Sequence, residues 1–433
     1  MKIKNILKSI VVLELFLIPT FIIAGGTNFN SIRSSKTLSL GGLYFSGLDG
    51  VSSIYSNPAN LSELVDNSIE FYMLDKVQEY DFNSTSGASN KSYNDDSFNF
   101  SLGGVYRLGS DFIIGIGYNN VFNYNVAWPY LINIKSPTNT SVQTYNISQE
   151  FILNAATISA SYKWEDFSVG ISANVFTLTH LREFYQTNPD WKNNIGLAGY
   201  QFKYDLDDVG FGMNAGVNYK INNSTKVSLL VKQGTSFSLD GEAESNMLSD
   251  LDSAKVIVGV KSDFEIPWSF GFGLLYDINE KWKMNFDLIY SLWGSTSKNI
   301  NYEFNDAKWS NYTFQPDSIS GYNPRTQILD FKNVMEAGIG IEYFNPSGVN
   351  LRAGYKYSAS QNSDNSYNYL NPNIDEHWLT AGIGFKYEKF TIDAAIAVII
   401  GTERSVAING NNVFSGNYSS RGYYPSLNIN YKF

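Results

Sequence analysis

Two histidines, His180 and His377, are the only imidazoles in the chain, and there is no cysteine. Either histidine could serve as a catalytic base, but no serine stands in a nucleophile motif near them. Without cysteine there is no disulfide framework, thiolate zinc site, iron–sulfur centre or thiol nucleophile. Asp205, Asp207 and Asp208 offer oxygen ligands to calcium, yet they lack the glycine and the terminal glutamate of a calcium loop. No metal site and no cofactor is expected, and the protein is not expected to be an enzyme. The charged residues Lys283, Asp287, Glu342, Arg352 and Lys356 interrupt apolar segments and are expected to neutralise one another or a neighbouring segment. The remaining chemistry is apolar. Leu181, Phe184, Tyr185, Trp191, Ile195 and Leu197 give the otherwise polar stretch 180–206 an apolar surface, suited either to capturing a hydrophobic ligand or to packing the loop against its neighbours.

Composition narrows what can position such residues. The chain has 433 residues, 31 basic and 41 acidic, for a net charge of −10, and aromatics make up 15%. No basic tract is available to bind nucleic acid. Lys2, Lys4 and Lys8 precede the mostly apolar run from Ile10 to Ile23, and Ala24 then meets Gly25-Gly26. That order predicts a cleaved signal peptide over residues 1–24. Glu14, Pro19 and Thr20 break the run, which is too short for a spanning helix of about 20 apolar residues.

Beyond the leader the dominant pattern is alternation with period two. Trp282, Met284, Phe286, Leu288, Tyr290 and Leu292 interleave with Lys283, Asn285, Asp287 and Ser291. Phe211, Met213, Ala215, Val217 and Tyr219 alternate with Gly212, Asn214, Gly216, Asn218 and Lys220. Each segment has one apolar and one polar face, as in a strand between two environments. A soluble sandwich and a transmembrane barrel both satisfy this, and three further features favour the barrel. The segments reach the roughly 9–11 residues needed to cross a bilayer. Trp164, Trp282, Trp293, Tyr343 and Trp378 mark segment ends, where interfacial girdles form. Short connections such as Glu165-Asp166, Asn222-Asn223 and Glu388-Lys389 alternate with long polar stretches near 78–96, 125–148, 180–206, 238–252, 295–330, 361–374 and 403–420.

Fourteen strands are predicted, starting near Ser68, Ser97, Asp111, Gln149, Asp166, Asp208, Ser224, Ile266, Lys281, Phe331, Gly348, Asp375, Lys389 and Arg421. The stretch 254–263 also alternates and could extend the eighth strand across Pro267. An even count leaves both termini at one end, and in lipid the set must close to satisfy its backbone. The last strand, with Tyr423, Leu427, Ile429, Tyr431 and terminal Phe433, resembles the signal read by the outer-membrane barrel-assembly machinery. The fold class is therefore all-β: a 14-stranded antiparallel transmembrane β-barrel over residues 68–433. Residues 25–67, Gly-rich and apolar without alternation, predict a small N-terminal hatch that plugs the lumen.

Several segments also resemble one family, the outer-membrane transporters of long-chain fatty acids and aromatic hydrocarbons of the FadL/TodX type. The resemblance lies in Gly41-Gly42, Asp49-Gly50-Val51-Ser52-Ser53, Ile54-Tyr55 and Asn57-Pro58-Ala59, then in Leu288 to Ser295. It continues in Leu351-Arg352-Ala353-Gly354-Tyr355-Lys356-Tyr357 and in Pro372 to Gly382, in family order. His377 stands where the family usually has arginine, and Asn60 where it usually has glycine.

The resemblance implies passive uptake of hydrophobic molecules, entry from the outer loops, a hatch closing the lumen and sideways release through the wall. Asn57, Pro58 and Ala59 are then the expected gate, because Pro fixes φ and Asn bonds back to the chain. Phe29 and Ile32 are expected to contact ligand with the apolar 180–206 residues named above. Gly115, Gly117, Asn119 and Asn120 in the third strand are the expected site of the wall opening, with ordinary barrel curvature as the alternative reading of the glycines. The expected partners are a hydrophobic small molecule, outer-membrane lipid and the assembly machinery, with the protein a monomer. The alternative function is a barrel of this architecture that anchors or shuttles a component of a secretion system.

Overall fold

The computed structural model describes residues 34–433 apart from 48–49, 85–88, 94, 136–139, 188–198, 246–256, 308, 310–322 and 407–414. The predicted signal peptide, Phe29, Ile32, Trp191, Ile195 and Leu197 lie outside the described residues.

The wall begins with β1 (Ser68–Ser84), β2 (Asp95–Arg107), β3 (Phe112–Lys135), β4 (Thr140–Trp164), β5 (Phe167–Thr187) and β6 (Gly199–Asn222). It continues with β7 (Thr225–Lys232), β8 (Thr235–Ser245), β9 (Ile257–Ile266), β10 (Ser269–Asn279) and β11 (Trp282–Ser291). The remaining strands are β12 (Val334–Phe344), β13 (Val349–Ser358), β14 (Glu376–Tyr387), β15 (Phe390–Gly401) and β16 (Gly416–Lys432). Neighbours pair antiparallel, and β16 closes the ring on β1 from Ser68↔Lys432 to Ser84↔Gly416. β7 pairs with β10 and β8 with β9 in one continuous register, so each couple acts as a single strand bent at Gln233-Gly234 or Pro267-Trp268. Of the stretch 254–263, the described residues 257–263 thus do extend their strand across Pro267, and fourteen wall strands close the barrel.

Short polar residues build the tight turns at one end. Asn222, Asn279 and Asn345 each accept a backbone N–H two residues on, at 2.8, 2.9 and 3.1 Å, the Asx geometry that stabilises a hairpin. Glu165 and Glu388 take positive φ, 51° and 49°, in the two-residue turns after β4 and β14.

An apolar belt circles the outside: Ile69 and Phe71 on β1, Ile114 and Ile116 on β3, Val169, Ile171 and Val175 on β5, and Ile392, Ile396 and Val398 on β15 are all exposed. So large an apolar surface has lipid as its solvent. Trp164, Phe167, Tyr387 and Phe390 ring the belt at the turn end. Trp293 and Trp378, expected in the girdle, are instead buried at 2% and 0% exposure. Trp378 has lumen parity and packs under Lys356 Nζ, 3.8 Å from its ring centroid.

Four stretches expected as outer loops are largely strand, 78–96 among them, since β1 runs to Ser84 and Ser89–Lys91 pairs back onto it. β3 runs to Lys135 and β4 starts at Thr140, β5 reaches Thr187 and β6 starts at Gly199, and β8 continues to Ser245. Segment 361–374 also departs from a solvated loop: Tyr367, Leu370 and Ile374 are buried, and the Leu370 carbonyl accepts from Tyr124 Oη at 2.9 Å and Gln149 Nε2 at 3.1 Å.

Inside the turn-end half sits the N-terminal segment, with helices α1 (Ser35–Ser39) and α2 (Ser53–Ser56) and 3-10 turns at Gly50–Ser52 and Pro58–Glu63. Ser34 caps α1 by accepting from Thr37 N–H at 2.9 Å.

Candidate functional site

The lumen has two storeys of opposite chemistry. In the lower one, polar side chains of the wall bind the backbone of the N-terminal segment. Asp287 on β11 accepts the Phe45 N–H at 2.8 Å, and Asn285 holds the other Asp287 oxygen at 2.7 Å. Ser159 on β4 and Ser172 on β5 both donate to the Ile54 carbonyl, at 2.8 and 2.5 Å, while Asn214 on β6 donates to the Tyr55 carbonyl at 3.0 Å. Glu70 on β1 accepts the Ser52 N–H at 3.1 Å. At the rim Lys226 on β7 pairs with Glu63 at 2.8 Å. Such partners satisfy short, irregular backbone that would otherwise be buried unpaired.

Asn57 is the hub. Its Nδ2 donates to the Phe45 carbonyl at 2.6 Å and to Asn218 Oδ1 at 3.0 Å, while its Oδ1 accepts the Ala59 N–H at 3.2 Å. Pro58 opens the following 3-10 turn, where a missing N–H costs nothing. Asn60 is a second tie: it donates to the Phe45 carbonyl at 2.9 Å and accepts from Asn218 Nδ2 at 2.9 Å. A Cβ at Gly170 would collide with the Pro58 carbonyl group, and one at Gly216 with Asn57 Oδ1. Lumen charges also pair here. Arg352 meets Glu342 at 2.7 Å and Asp393 at 2.6 Å, and Lys36 of α1 stands 3.9 Å from Glu342.

The upper storey is aromatic. Phe122, Tyr124 and Trp128 of β3, Phe151 of β4, Phe176, Leu178 and Phe184 of β5, and Phe202, Tyr204 and Leu206 of β6 form one cluster with Tyr55 of α2. Phe184 stacks on Phe202 at 5.2 Å between centroids. Set into this lining is Arg182, 3% exposed. Its guanidinium carbon lies 4.4 Å from the Phe184 ring and 5.2 Å from the Tyr302 ring. Among the described residues its Nε and Nη1 have no hydrogen-bond partner. His180 stacks on Phe151 at 4.0 Å and bonds Tyr302 Oη at 2.9 Å.

Beside this storey the ladder between β2 and β3 is interrupted. β2 and β3 pair from Arg107↔Ile113 up to Ser101↔Asn119 and no further. A register shift between Asn120 and Phe122 in the β3–β4 ladder leaves Val121 unpaired and turns the upper strand. The strands meet again where Tyr93 N–H reaches the Ala127 carbonyl at 2.7 Å.

The structure therefore places Asn57, Pro58 and Ala59 in the lower storey, against β5 and β6. Asn119 and Asn120 sit at the lower edge of the seam break, while Gly115 and Gly117 lie below it in the paired stretch. A Cβ at Gly115 would stand 2.8 Å from Ile54 Cγ1, so the smallness of that residue serves the N-terminal segment. Of the residues expected to capture ligand, Phe184 is buried in the upper lumen and Leu181 faces the other side of β5. Tyr185 lies in β5. Sequence reasoning missed Arg182, hidden in what looked like a loop, and the roles of Asn60, Asn214 and Asn218. The inward parity of those β6 asparagines was the available signal.

Comparison with known proteins agrees with this architecture. Residues 46–433 match the family described as outer membrane protein transport protein (OMPP1/FadL/TodX). Outer membrane protein P1 of Haemophilus influenzae is 21% identical over 372 residues, covering 82% of this chain and 69% of that protein. The long-chain fatty acid transport protein of Escherichia coli O6:H1 is 20% identical over 343 residues, covering 78% of this chain and 66% of that one. The crystal structure of a Pseudomonas aeruginosa FadL homologue superposes with a TM-score of 0.74 over 95% of this chain and 100% of the other, at 13% identity.

Proposed function

The chain belongs to the OMPP1/FadL/TodX family, outer-membrane transporters of hydrophobic compounds, and from that premise we propose that it takes up long-chain fatty acids passively. The ligand enters the upper lumen from the loop end, is stopped by residues 34–67 acting as a hatch, and leaves sideways between β2 and β3. The observation that carries this reading is Arg182. A buried guanidinium with two unpartnered donors among aromatic rings suits a ligand whose tail is apolar and whose head is a carboxylate. A neutral aromatic hydrocarbon would leave that charge unpaired. A lateral path also spares an apolar tail from crossing the polar lower storey.

The test is uptake of labelled oleate by cells whose own fatty-acid importer has been deleted, with the chain expressed in their outer membrane. Arg182→Met is expected to slow oleate uptake about tenfold, as loss of a charge-assisted bond of about 1.5–3 kcal/mol implies. Uptake of toluene should be unchanged. No oleate uptake by correctly folded surface protein would refute the transport reading. Equal loss for oleate and toluene would refute the carboxylate role of Arg182.

A further inference from the structure

We propose that the wall holds a second lateral portal, between β6 and the bend joining β7 to β8, through which an alkyl chain passes from the aromatic lumen into a groove on the lipid face. The proposal rests on the transport reading above and adds a route to it.

The first observation is a break in the ladder. β6 pairs with β7 from Asn222↔Thr225 to Asn214↔Lys232, and with β8 from Asp207↔Asp240 to Phe202↔Ser245. Between these limits, residues 208–213 face 233–239 without ladder pairing. Six residues oppose seven, so the two halves cannot share one register. The break lies at the upper edge of the belt, with Phe211 and Met213 exposed on one side and Ser236 and Ser238 on the other; its lower part exposes backbone that lipid cannot satisfy, and such breaks persist where they line a cavity or path.

The second observation is how the break is held. Gln233 N–H reaches the Met213 carbonyl at 2.9 Å, Thr235 Oγ1 the Phe211 carbonyl at 3.2 Å, and Asn174 Nδ2 the Gly212 carbonyl at 3.3 Å. Above them Ser238 N–H reaches the Asp208 carboxylate at 2.7 Å. Asn174 lies on β5, so three of these bonds cross the seam, and two of the three use a side chain and can open singly without unzipping a ladder.

The third observation is what lies on either side. Inside, a Cβ at Gly210 would stand 2.6 Å from Phe237 Cε1, and one at Gly212 would stand 2.7 Å from Phe176 Cε2. Two rings of the aromatic lumen therefore press directly against the break, where glycine leaves them room. Outside, a groove of about 530 Å³ runs over the same residues, with a floor of Ala156, Ala173 and Gly212. Ile116, Ile158, Val175, Phe211 and Met213 wall it, and Phe211 is 70% exposed. The volume is that of a small-molecule site, and walls of this kind within the lipid belt accept an alkyl chain. Phe176 and Phe237 are the gate between the two spaces.

The chain has no cysteine, so Gly212→Cys and Thr235→Cys can staple the seam, and comparing oxidised with reduced forms of the one variant cancels the contact that the new Cβ makes with Phe176. A Cβ at Gly212 would lie 2.8 Å from Thr235 Oγ1, within reach of a disulfide. In the oleate uptake assay the oxidised staple is expected to slow uptake at least twofold, with reductant restoring it. Phe237→Ala, which removes a gate ring without touching the ladder, is expected to raise uptake about twofold. Unchanged uptake with the disulfide shown by mass, or unchanged uptake in Phe237→Ala, would overturn the portal while transport stands. If the unmodified protein moves no oleate, transport itself fails and the portal falls with it.

Discussion

The lower and upper halves of β6 have the same backbone parity and opposite chemistry. Below, Val209, Phe211, Met213 and Val217 point outward into the belt while Asn214 and Asn218 point in. Above, Phe202, Tyr204 and Leu206 point in, and Lys203, Asp205 and Asp207 face out. No bulge separates the halves on this strand, so the sequence itself reverses its phase. β3 solves the same problem differently. Apart from Val121 itself, its large apolar residues keep to even positions from Ile114 to Trp128, and the bulge at Val121 turns the upper set inward. Where the outside is lipid, apolar groups go out and polar groups grip the hatch. Where the outside is water, apolar groups go in and line the path.

The sharpest way to break this contrast is to unseat the lower half. Gly170→Val would drive a branched side chain into the Pro58–Ala59 backbone. The expected result is a displaced hatch and a steadily conducting pore in planar bilayers, because a barrel of this strand number is wide enough to carry water. The parent should stay closed; a closed variant would separate hatch seating from pore closure.

A milder cut removes the hub. Asn57→Ala leaves the Phe45 carbonyl with one donor, Asn60 Nδ2, and frees the Ala59 N–H. A loss of about 1–3 kcal/mol is expected, read as brief openings in the same recordings. An unaltered trace would move the hub to Asn60.

The upper half is probed by paired truncations of one residue type. Phe184→Ala empties a site packed against Phe202 and should cost about 3–5 kcal/mol. Phe211→Ala, facing lipid, should cost much less because lipid fills the space. Unfolding in urea from lipid vesicles measures both, and equal losses would contradict the phase reversal.

The smallest effect concerns the outer surface. Asp330 accepts from Ser363 Oγ at 2.9 Å and Asn365 Nδ2 at 3.1 Å, and these bonds hold its carboxyl below the usual range. A depressed carboxyl contributes above its ordinary pKa and is lost as pH falls through the lowered one. Amide protection factors in residues 361–374, corrected for the intrinsic pH dependence of exchange, should therefore fall modestly in acid, and Asp330→Asn should flatten that dependence. An acid response unchanged in the variant would assign it to another group.

How far the sequence could be read follows from the same contrast. The belt segments alternate against lipid, so their strands, parity and number were legible from Phe211 to Tyr219 or from Trp282 to Leu292. Above the belt, an outward polar face and polar turns made 125–148, 180–206 and 238–252 look like loops. Trp378 looked interfacial by its place near a strand end, whereas its parity sends it inward. Asn57-Pro58 was legible as a turn, since the turn is local. Arg182 was not, because its burial depends on Phe184, Tyr204 and Tyr302 converging from three segments.

A carboxylate-headed apolar ligand held against Arg182 in the upper lumen is the proposal on which the uptake reading turns. A crystal structure of the protein grown with oleate tests it directly. The carboxylate is expected within about 3 Å of Arg182 Nε and Nη1, with the tail along the aromatic lining beside Phe122 and Phe151. Oleate bound with its head in solvent, or density elsewhere and an unchanged Arg182, would contradict it.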